Sequence, residues 1–311
     1  MDNTATDKID VAVIGDALID YQYWVAKMPP VGGDEMISMS NKSTGGSAAN
    51  SAIALGMLSV RTSFCGRIGS DDNGRWIQEK MIRAGVDISS MQYGESTGYV
   101  LSIIDKNSER TMLSFRGASA EPLKLTFGLK QILQKCRMLL LSGYCLMNEA
   151  QADLSLEAVL EVKHAGGLVA FDPSPVIGQI NPSILEKLFK VTDIILPNKT
   201  ELKAITNKED MQEGIEFLLQ KIPCIALKQG AEGATAAIQE GFRSPMCAAF
   251  TEKMICRVPA IKTTAIDTTG AGDAFNAGFI AGMLQSADPR VWLEKGNQLA
   301  AVVVAKKGAS L

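Results

Sequence analysis

The run with the clearest chemical content is Asp267-Thr268-Thr269-Gly270-Ala271-Gly272-Asp273-Ala274-Phe275. Ala274, Phe275, Gly278, Phe279 and Met283 recur at helical spacing, so a long helix is expected to begin inside it. Gly270, Ala271 and Gly272 are small enough for backbone N–H groups to approach an anion closely at the positive end of that helix. Such an end can hold a phosphoryl group while negative charge shifts during transfer. Asp273, in the first turn, is placed to accept a proton from an attacking hydroxyl. An acidic first-turn residue behind a glycine turn would explain Asp273 alone. It would not explain a threonine pair, a small-residue cradle and an acid packed together.

A second run, Gly45-Gly46-Ser47-Ala48-Ala49-Asn50, opens another expected helix that continues through Ser51 to Gly56. Two glycines let a polyol approach the backbone, and Asn50 offers a hydroxyl both a donor and an acceptor. Alone this signal is weak, because glycine turns before helices are common. Asp16 and Asp20, just after the first expected strand, project towards the same cleft and can accept hydrogen bonds from hydroxyls. Either could instead be a plain cap.

Other chemistries lack their residues. The single histidine, His164, ends an expected helix before Gly166-Gly167, where it can meet the last carbonyls. That setting excludes the usual histidine-based triads, dyads and zinc motifs, leaving acid–base work to carboxylates, lysine or tyrosine. No GxxxxGK[ST] loop occurs, and Gly15-Asp16-Ala17-Leu18-Ile19-Asp20 lacks the later glycines of a dinucleotide fingerprint. The six cysteines (65, 136, 145, 224, 247 and 256) form no CxxC pair, so buried reduced thiols are expected.

The elements that must position these residues can be read from the apolar pattern. Ile9–Gly15, Arg137–Ser142, Gly167–Asp172, Asp193–Pro197 and Ile222–Lys228 read as buried parallel strands. Helical patterns lie at Ser47–Leu58, Asn73–Ala84, Glu149–His164 and Pro182–Lys190. This alternation predicts an α/β chain with a mostly parallel sheet covered on both faces, its chemistry in the loops after the strands. Residues about 21–44 and 96–117 break the rhythm and read as extended, with Asp105-Lys106-Asn107-Ser108 as a hairpin turn. A small separate sheet, serving as a lid or dimer surface, would account for both; the alternative is an ordinary edge hairpin. At 311 residues, 46% hydrophobic, the chain suits one large α/β domain with an appendage. A net charge of −3 without a dense Lys/Arg run speaks against nucleic acid. The polar start Met1–Lys8 has no signal-peptide pattern and no apolar stretch reaches spanning length, so a cytoplasmic protein without a membrane partner is expected.

Taken together, the two glycine runs resemble the two signatures of the ribokinase-like, PfkB-type carbohydrate kinases, and the resemblance spans essentially the whole chain. Pro197-Asn198-Lys199-Thr200-Glu201 resembles the family's NxxE element near magnesium and phosphate. Gln229-Gly230-Ala231-Glu232-Gly233, after the strand ending at Lys228, resembles its nucleotide-binding turn. The resemblance implies a single ribokinase-like α/β domain over residues 1–311, with a central mostly parallel sheet, flanking helices and a small β lid. It implies in-line transfer from MgATP to a primary hydroxyl of a small sugar-like molecule, with Asp273 as base and Gly270, Ala271 and Gly272 as the anion hole. Asp20, Gly45, Gly46 and Asn50 would hold the acceptor, and Lys228, Gly230, Gly233 and Asn297 would lie by ATP. Asn198 and Glu201 would organise Mg²⁺ through water; Asp267 and Thr269, with carbonyls near Lys306 and Gly308, correspond to the K⁺ loop of some members.

Two further residues follow from the resemblance. Ser114-Phe115-Arg116-Gly117 is similar to lid segments of fructokinase- and ketodeoxygluconate-kinase-like members, with Arg116 reaching an acidic or polyhydroxyl substrate or simply solvated. Tyr144 lies where relatives place an acceptor-side residue, although a buried tyrosine needs no such role. Ser47 and Ala48 depart from the Gly-Gly-Lys-Gly-Ala-Asn of ribokinases proper, which puts ribose as acceptor in doubt. The sequence ends at Leu311, where relatives continue with another helix, a shortening expected to weaken the cation site or loosen the last helix. A nucleoside kinase of the same fold is the nearest alternative. A non-catalytic sugar- or nucleotide-binding regulator and a nicotinamide enzyme are alternatives of other classes.

Overall fold

A computed structural model describes residues 9–107 and 109–306. The polar start Met1–Lys8, Ser108 of the expected turn and Gly308 of the expected cation loop lie outside the described residues. The main sheet contains β1 (Val11–Ile14), β4 (Thr62–Cys65), β9 (Met138–Ser142), β10 (Leu168–Asp172), β11 (Ile194–Ile195), β12 (Cys224–Lys228), β13 (Ala234–Ile238) and β14 (Met254–Val258). Their order is β14-β13-β12-β11-β10-β9-β1-β4. From β4 to β12 the pairing is parallel, while β13 and β14 extend that edge antiparallel. The helices are α1 (Ser47–Met57), α2 (Asp72–Arg83), α3 (Phe127–Lys135), α4 (Glu149–His164), α5 (Pro182–Phe189), α6 (Lys199–Thr206), α7 (Met211–Leu219), α8 (Ala271–Gln285) and α9 (Pro289–Val304).

Alternating side chains along each strand feed two cores. Val11, Val13, Leu140 and Ala226 pack with α1, α2, α8 and α9; Ala12, Ile14, Leu141 and Leu227 pack with α3 to α7. Burial on both faces explains why these strands read as continuous apolar runs. Helix α8 approaches α9 closely at Gly278, where a Cβ would lie 2.4 Å from the Lys295 carbonyl oxygen. Trp292 of α9 is wholly buried against Phe250 and Phe279, and its indole N–H donates to the Ser286 carbonyl at 2.8 Å.

A second sheet has the order β3-β2-β7-β8: β2 (Leu18–Val25), β3 (Ile37–Gly45), β7 (Thr97–Ile104) and β8 (Arg110–Gly117). It is the separate small sheet expected from the extended segments. β2 leaves β1 through Gly15-Asp16-Ala17, so the lid grows directly from the carboxyl end of a main strand. The short pair β5 (Arg67–Gly69) and β6 (Gln92–Gly94) completes the strands described.

Candidate active site

The lid covers a cleft of about 810 Å³ at the carboxyl ends of the main strands. That volume lies in the range of small-molecule sites, roughly 300–1,000 Å³. Asp16, Asp20, Gly46, Asn50, Arg116, Tyr144, Asn198, Glu201, Lys228, Gly230, Gly233, Thr269, Gly270, Ala271, Gly272, Asp273 and Asn297 all line it. Gly45 and Asp267 stand behind this lining. A Cβ on Gly45 would fall 2.4 Å from Asp20 Oδ1, so the glycine leaves room for that carboxylate.

Asp273 sits in the first turn of α8, after Gly270 in the left-handed conformation (φ 76°) and with no side chain capping the helix. An uncapped N-terminus leaves backbone N–H groups to an anion. The carboxylate is held from α1: Ser47 Oγ lies 2.6 Å from Oδ1, and Asn50 Nδ2 donates to Oδ2 at 2.9 Å. Helix α1 is aimed there by Gly46 (φ 88°), where any Cβ would strike the Asp16 carbonyl oxygen at 2.5 Å. Burial and the negative charge of Asp172 push the Asp273 carboxyl up to about 7, against the pull of Ser47, Asn50 and Lys228. A carboxyl poised near neutrality suits a general base.

On the lid side, Arg116 pairs with the buried Asp16 at 3.1 Å, and its guanidinium lies 4.7 Å from the centre of the Tyr144 ring. Asp16 Oδ1 and Asn50 Oδ1 are buried and find no hydrogen-bond partner among the described residues. Two orphaned acceptors fit a ligand that brings hydroxyl donors. Burial, then the charges of Asp16 and Asp267, push Asp20 up to about 7, with Arg110 opposing. Tyr144 is pushed up to about 12, by burial first and Asp16 next. Arg110 crosses from β8 to Asp267 Oδ1 and Thr269 Oγ1, each at 2.5 Å, and Gln22 of β2 donates to Asp267 Oδ2 at 3.2 Å. Asp267 Oδ1 also accepts from the Thr269 backbone N–H and hydroxyl. Its carboxylate thus ties two lid strands to the loop that leads into the cradle.

On the opposite side, Lys228 Nζ donates to Asp172 Oδ1 at 3.1 Å and Asn276 Oδ1 at 3.2 Å, and a Cβ on Gly272 would lie 3.7 Å from it. Burial would lower the lysine, but the charges of Asp172 and Glu201 outweigh it and the ammonium is held. Asn198 and Glu201 form a capping box at α6: Glu201 takes Asn198 N–H and Nδ2, and Asn198 Oδ1 takes Glu201 N–H. Burial, with Asp172, raises the Glu201 carboxyl although Lys228 opposes. Asn297 donates to the Val258 and Pro259 carbonyls. Gly233 (φ 96°) turns the chain into β13, and Gly230 opens onto free space.

Gln22, Asp172, Ser174 and Asn276 of this site were not singled out in the sequence, and Ser47 stood out there only as a departure from the ribokinase run. Asp172 had one readable signal, a carboxylate closing an apolar strand. Its partners stand far away in sequence, Ser47 by 125 positions and Lys228 by 56.

The pfkB family carbohydrate kinase profile matches residues 8–311. Klebsiella pneumoniae fructokinase is 29% identical over 294 residues, covering 89% of this chain and 85% of that protein. Bacillus subtilis 5-dehydro-2-deoxygluconokinase is 28% identical over 316 residues, covering 97% of this chain and 91% of that protein. Arabidopsis thaliana ribokinase, solved in complex with ribose and ATP, has a TM-score of 0.83 at 23% identity, covering 97% of this chain and 94% of that one. The chain belongs to the pfkB family of carbohydrate kinases and is a sugar kinase, an ATP-using phosphotransferase.

Proposed function

We propose that the acceptor is a small polyhydroxylated molecule bound beneath the lid, and that Asp273 takes the proton from its primary hydroxyl. The supporting observation is the junction of a buried carboxyl near neutrality with an uncapped helix N-terminus inside one cleft. The acceptor oxygen loses its proton to Asp273 and bonds to the γ-phosphorus. The bond to the β–γ bridging oxygen breaks, and its electron pair leaves with ADP. Gly270 and Gly272 offer amides to the charge on the transferring group, and the Ala271 N–H, which donates to the Thr268 carbonyl at 3.2 Å, would have to be shared with it. Asp16, Asp20 and Asn50 accept from sugar hydroxyls, beside Gly45 and Gly46. An acceptor carrying a carboxylate or phosphate would compete with Asp16 for Arg116, against Tyr144.

Lys228, Gly230, Gly233 and Asn297 form the proposed ATP side, with the Lys228 charge under the cradle. No group of three or more His, Cys, Asp or Glu able to cage a metal occurs among the described residues. That donor set suits Mg²⁺ held mainly by phosphates and water, with Asn198 and Glu201 close by. A K⁺ ion fits less well. The Asp267 carboxylate already serves Arg110, Gln22 and Thr269, so a cation there would displace a guanidinium. The free cysteines and the use of ATP are consistent with a cytoplasmic enzyme.

ATP consumption with a panel of sugars, sugar acids, sugar phosphates and nucleosides, with and without K⁺, tests the reading. One class of sugar-like acceptor should drive ADP release, equally in both media. Asp273→Asn should lower turnover by ~10²–10⁴, the span of a positioned base, with ATP affinity little changed. Near-normal turnover in that variant would reject the base, and phosphorylation of nucleosides alone would reject the acceptor class.

A further inference from the structure

The base does not stand alone in the cleft wall. Ser47 Oγ is 2.6 Å from Asp273 Oδ1 and 3.0 Å from Asp172 Oδ2, so one hydroxyl bridges two carboxyls from opposite elements. Asp172 itself is nearly fully buried, at 5% exposure. It accepts from Ser174 Oγ at 3.0 Å on the Ser47 side and from Lys228 at 3.1 Å on the other oxygen. Ser174 holds φ at 57°, a left-handed conformation that a serine adopts at a cost. That strain buys the turn that returns its hydroxyl to Asp172.

We propose that Ser47 and Asp172 are positioning residues for the base, Ser47 bridging the two carboxyls and Asp172 anchoring the bridge to Lys228 beneath the phosphoryl cradle. The proposal rests on Asp273 being the base. A serine hydroxyl carries one proton and two acceptor lone pairs. When Asp273 is ionised, Ser47 donates to it, and Asp172 keeps Ser174 and Lys228 as donors. When Asp273 has taken the acceptor's proton, it can donate to Ser47, which turns its own hydrogen to Asp172. The same bridge therefore satisfies the base before and after proton capture, without moving the carboxyl from the cradle. A base held in place through the proton transfer is what an in-line displacement requires. The lysine adds a second connection, since one ammonium group neutralises Asp172 and stands under Gly272.

The charged and titratable groups facing Asp273 are Asp172 at the end of β10, Lys228 at the end of β12 and Tyr144 after β9; Glu201 lies beyond Lys228. Removing the two positioning groups should shift the acid limb of the pH–kcat profile, measured at saturating acceptor and ATP, in opposite directions. Ser47→Ala removes a donor that favours the ionised base, so the limb should move to higher pH. Asp172→Asn removes a negative charge that disfavours it, so the limb should move to lower pH. Each variant should lose ~10-fold or more in kcat from misplacement of the base. Ser47→Thr, which keeps the hydroxyl, should recover most of the loss and restore the limb.

The measurement is the full pH profile of the parent, the three variants and the double variant, each checked for fold by circular dichroism. Opposite shifts, with losses in the double variant smaller than the product of the single ones, support the bridge. Folded Ser47→Ala protein with the parent's kcat and acid limb overturns it, and that arm decides the matter if Asp172→Asn fails to fold. Asp273→Asn is run alongside. Inactivity there with unaltered Ser47 and Asp172 variants rejects the bridge alone, whereas activity there rejects the base itself.

Discussion

At the scale of single residues, the site holds two carboxyls, Asp20 and Asp273, that burial pushes up to about 7. Asp20 is the clearest case besides the base. Its carboxyl faces the cleft beside Gly45, and burial with the charges of Asp16 and Asp267 pushes it up to about 7. An ionised carboxylate accepts hydroxyl hydrogen bonds at both oxygens, whereas a protonated one has lost part of that capacity. Acceptor KM is therefore expected to rise as pH falls through about 7. Asp20→Asn should bind acceptor more weakly at pH 8, with a KM that no longer changes over this range. Steady-state KM measured at several pH values with saturating ATP checks this. An unchanged pH dependence of KM in Asp20→Asn would remove Asp20 from the acceptor contacts.

At the scale of elements, the lid presents two different faces. Alternation along β2, β7 and β8 sends Asp20, Gln22, Ser102, Arg110 and Arg116 into the cleft. The opposite positions carry Tyr21, Tyr23, Tyr99 and Phe115, whose rings contact in series with centroids 5.3–6.4 Å apart. Leu113 and Phe115 are 60% and 46% exposed on that face. The root of this series is not free: Tyr21 and Tyr99 pack on the main core, and the Tyr21 hydroxyl donates to Asn73 Oδ1 of α2 at 3.0 Å, so the outer face of the lid is stitched to the domain beneath it. Both lid segments could be read from the sequence, because extended alternation interrupted the β/α rhythm. The antiparallel edge was not: β13 is Ala234-Thr235-Ala236-Ala237-Ile238, whose small residues give little contrast of either period. The glycine runs at Gly45 and Gly270 could be read because a helix start is a local event. The bridge at Asp172 could not, because it depends on packing between three strand ends and two helices. Arg110 stood in the expected turn region, yet nothing local indicated that it reaches Asp267, 157 positions away.

At the scale of the whole molecule, the same burial that tunes the site sets stability against activity. Asp20 and Asp273 hold their protons to about 7 in the folded chain but release them near the ordinary aspartate value, 3.8, when unfolded. Between those values the folded state binds more protons than the unfolded one, so stability falls as pH rises through this window. Other carboxyls act at lower pH. Burial pulls Asp10 and Asp71 up, but Arg61 and Arg137 beside Asp10, and the hydrogen bonds from Thr97 and Gly74 to Asp71, hold both below 3.8. Their stabilisation is present above the ordinary aspartate value and is lost only as pH falls below it. The two families of carboxyl leave the chain most stable in mildly acidic solution, where the base is protonated and turnover is low. Thermal melting without ligands is expected to show a higher midpoint at pH 5 than at pH 8. Asp20→Asn combined with Asp273→Asn should reduce that difference, chiefly by raising the midpoint at pH 8, since neutral side chains carry no charge to bury. Equal pH dependence in parent and variant would mean that these carboxyls ionise as freely in the folded chain as in the unfolded one. The proposed base would then have an ordinary affinity for its proton, and the acid limb of turnover should fall well below 7 as well.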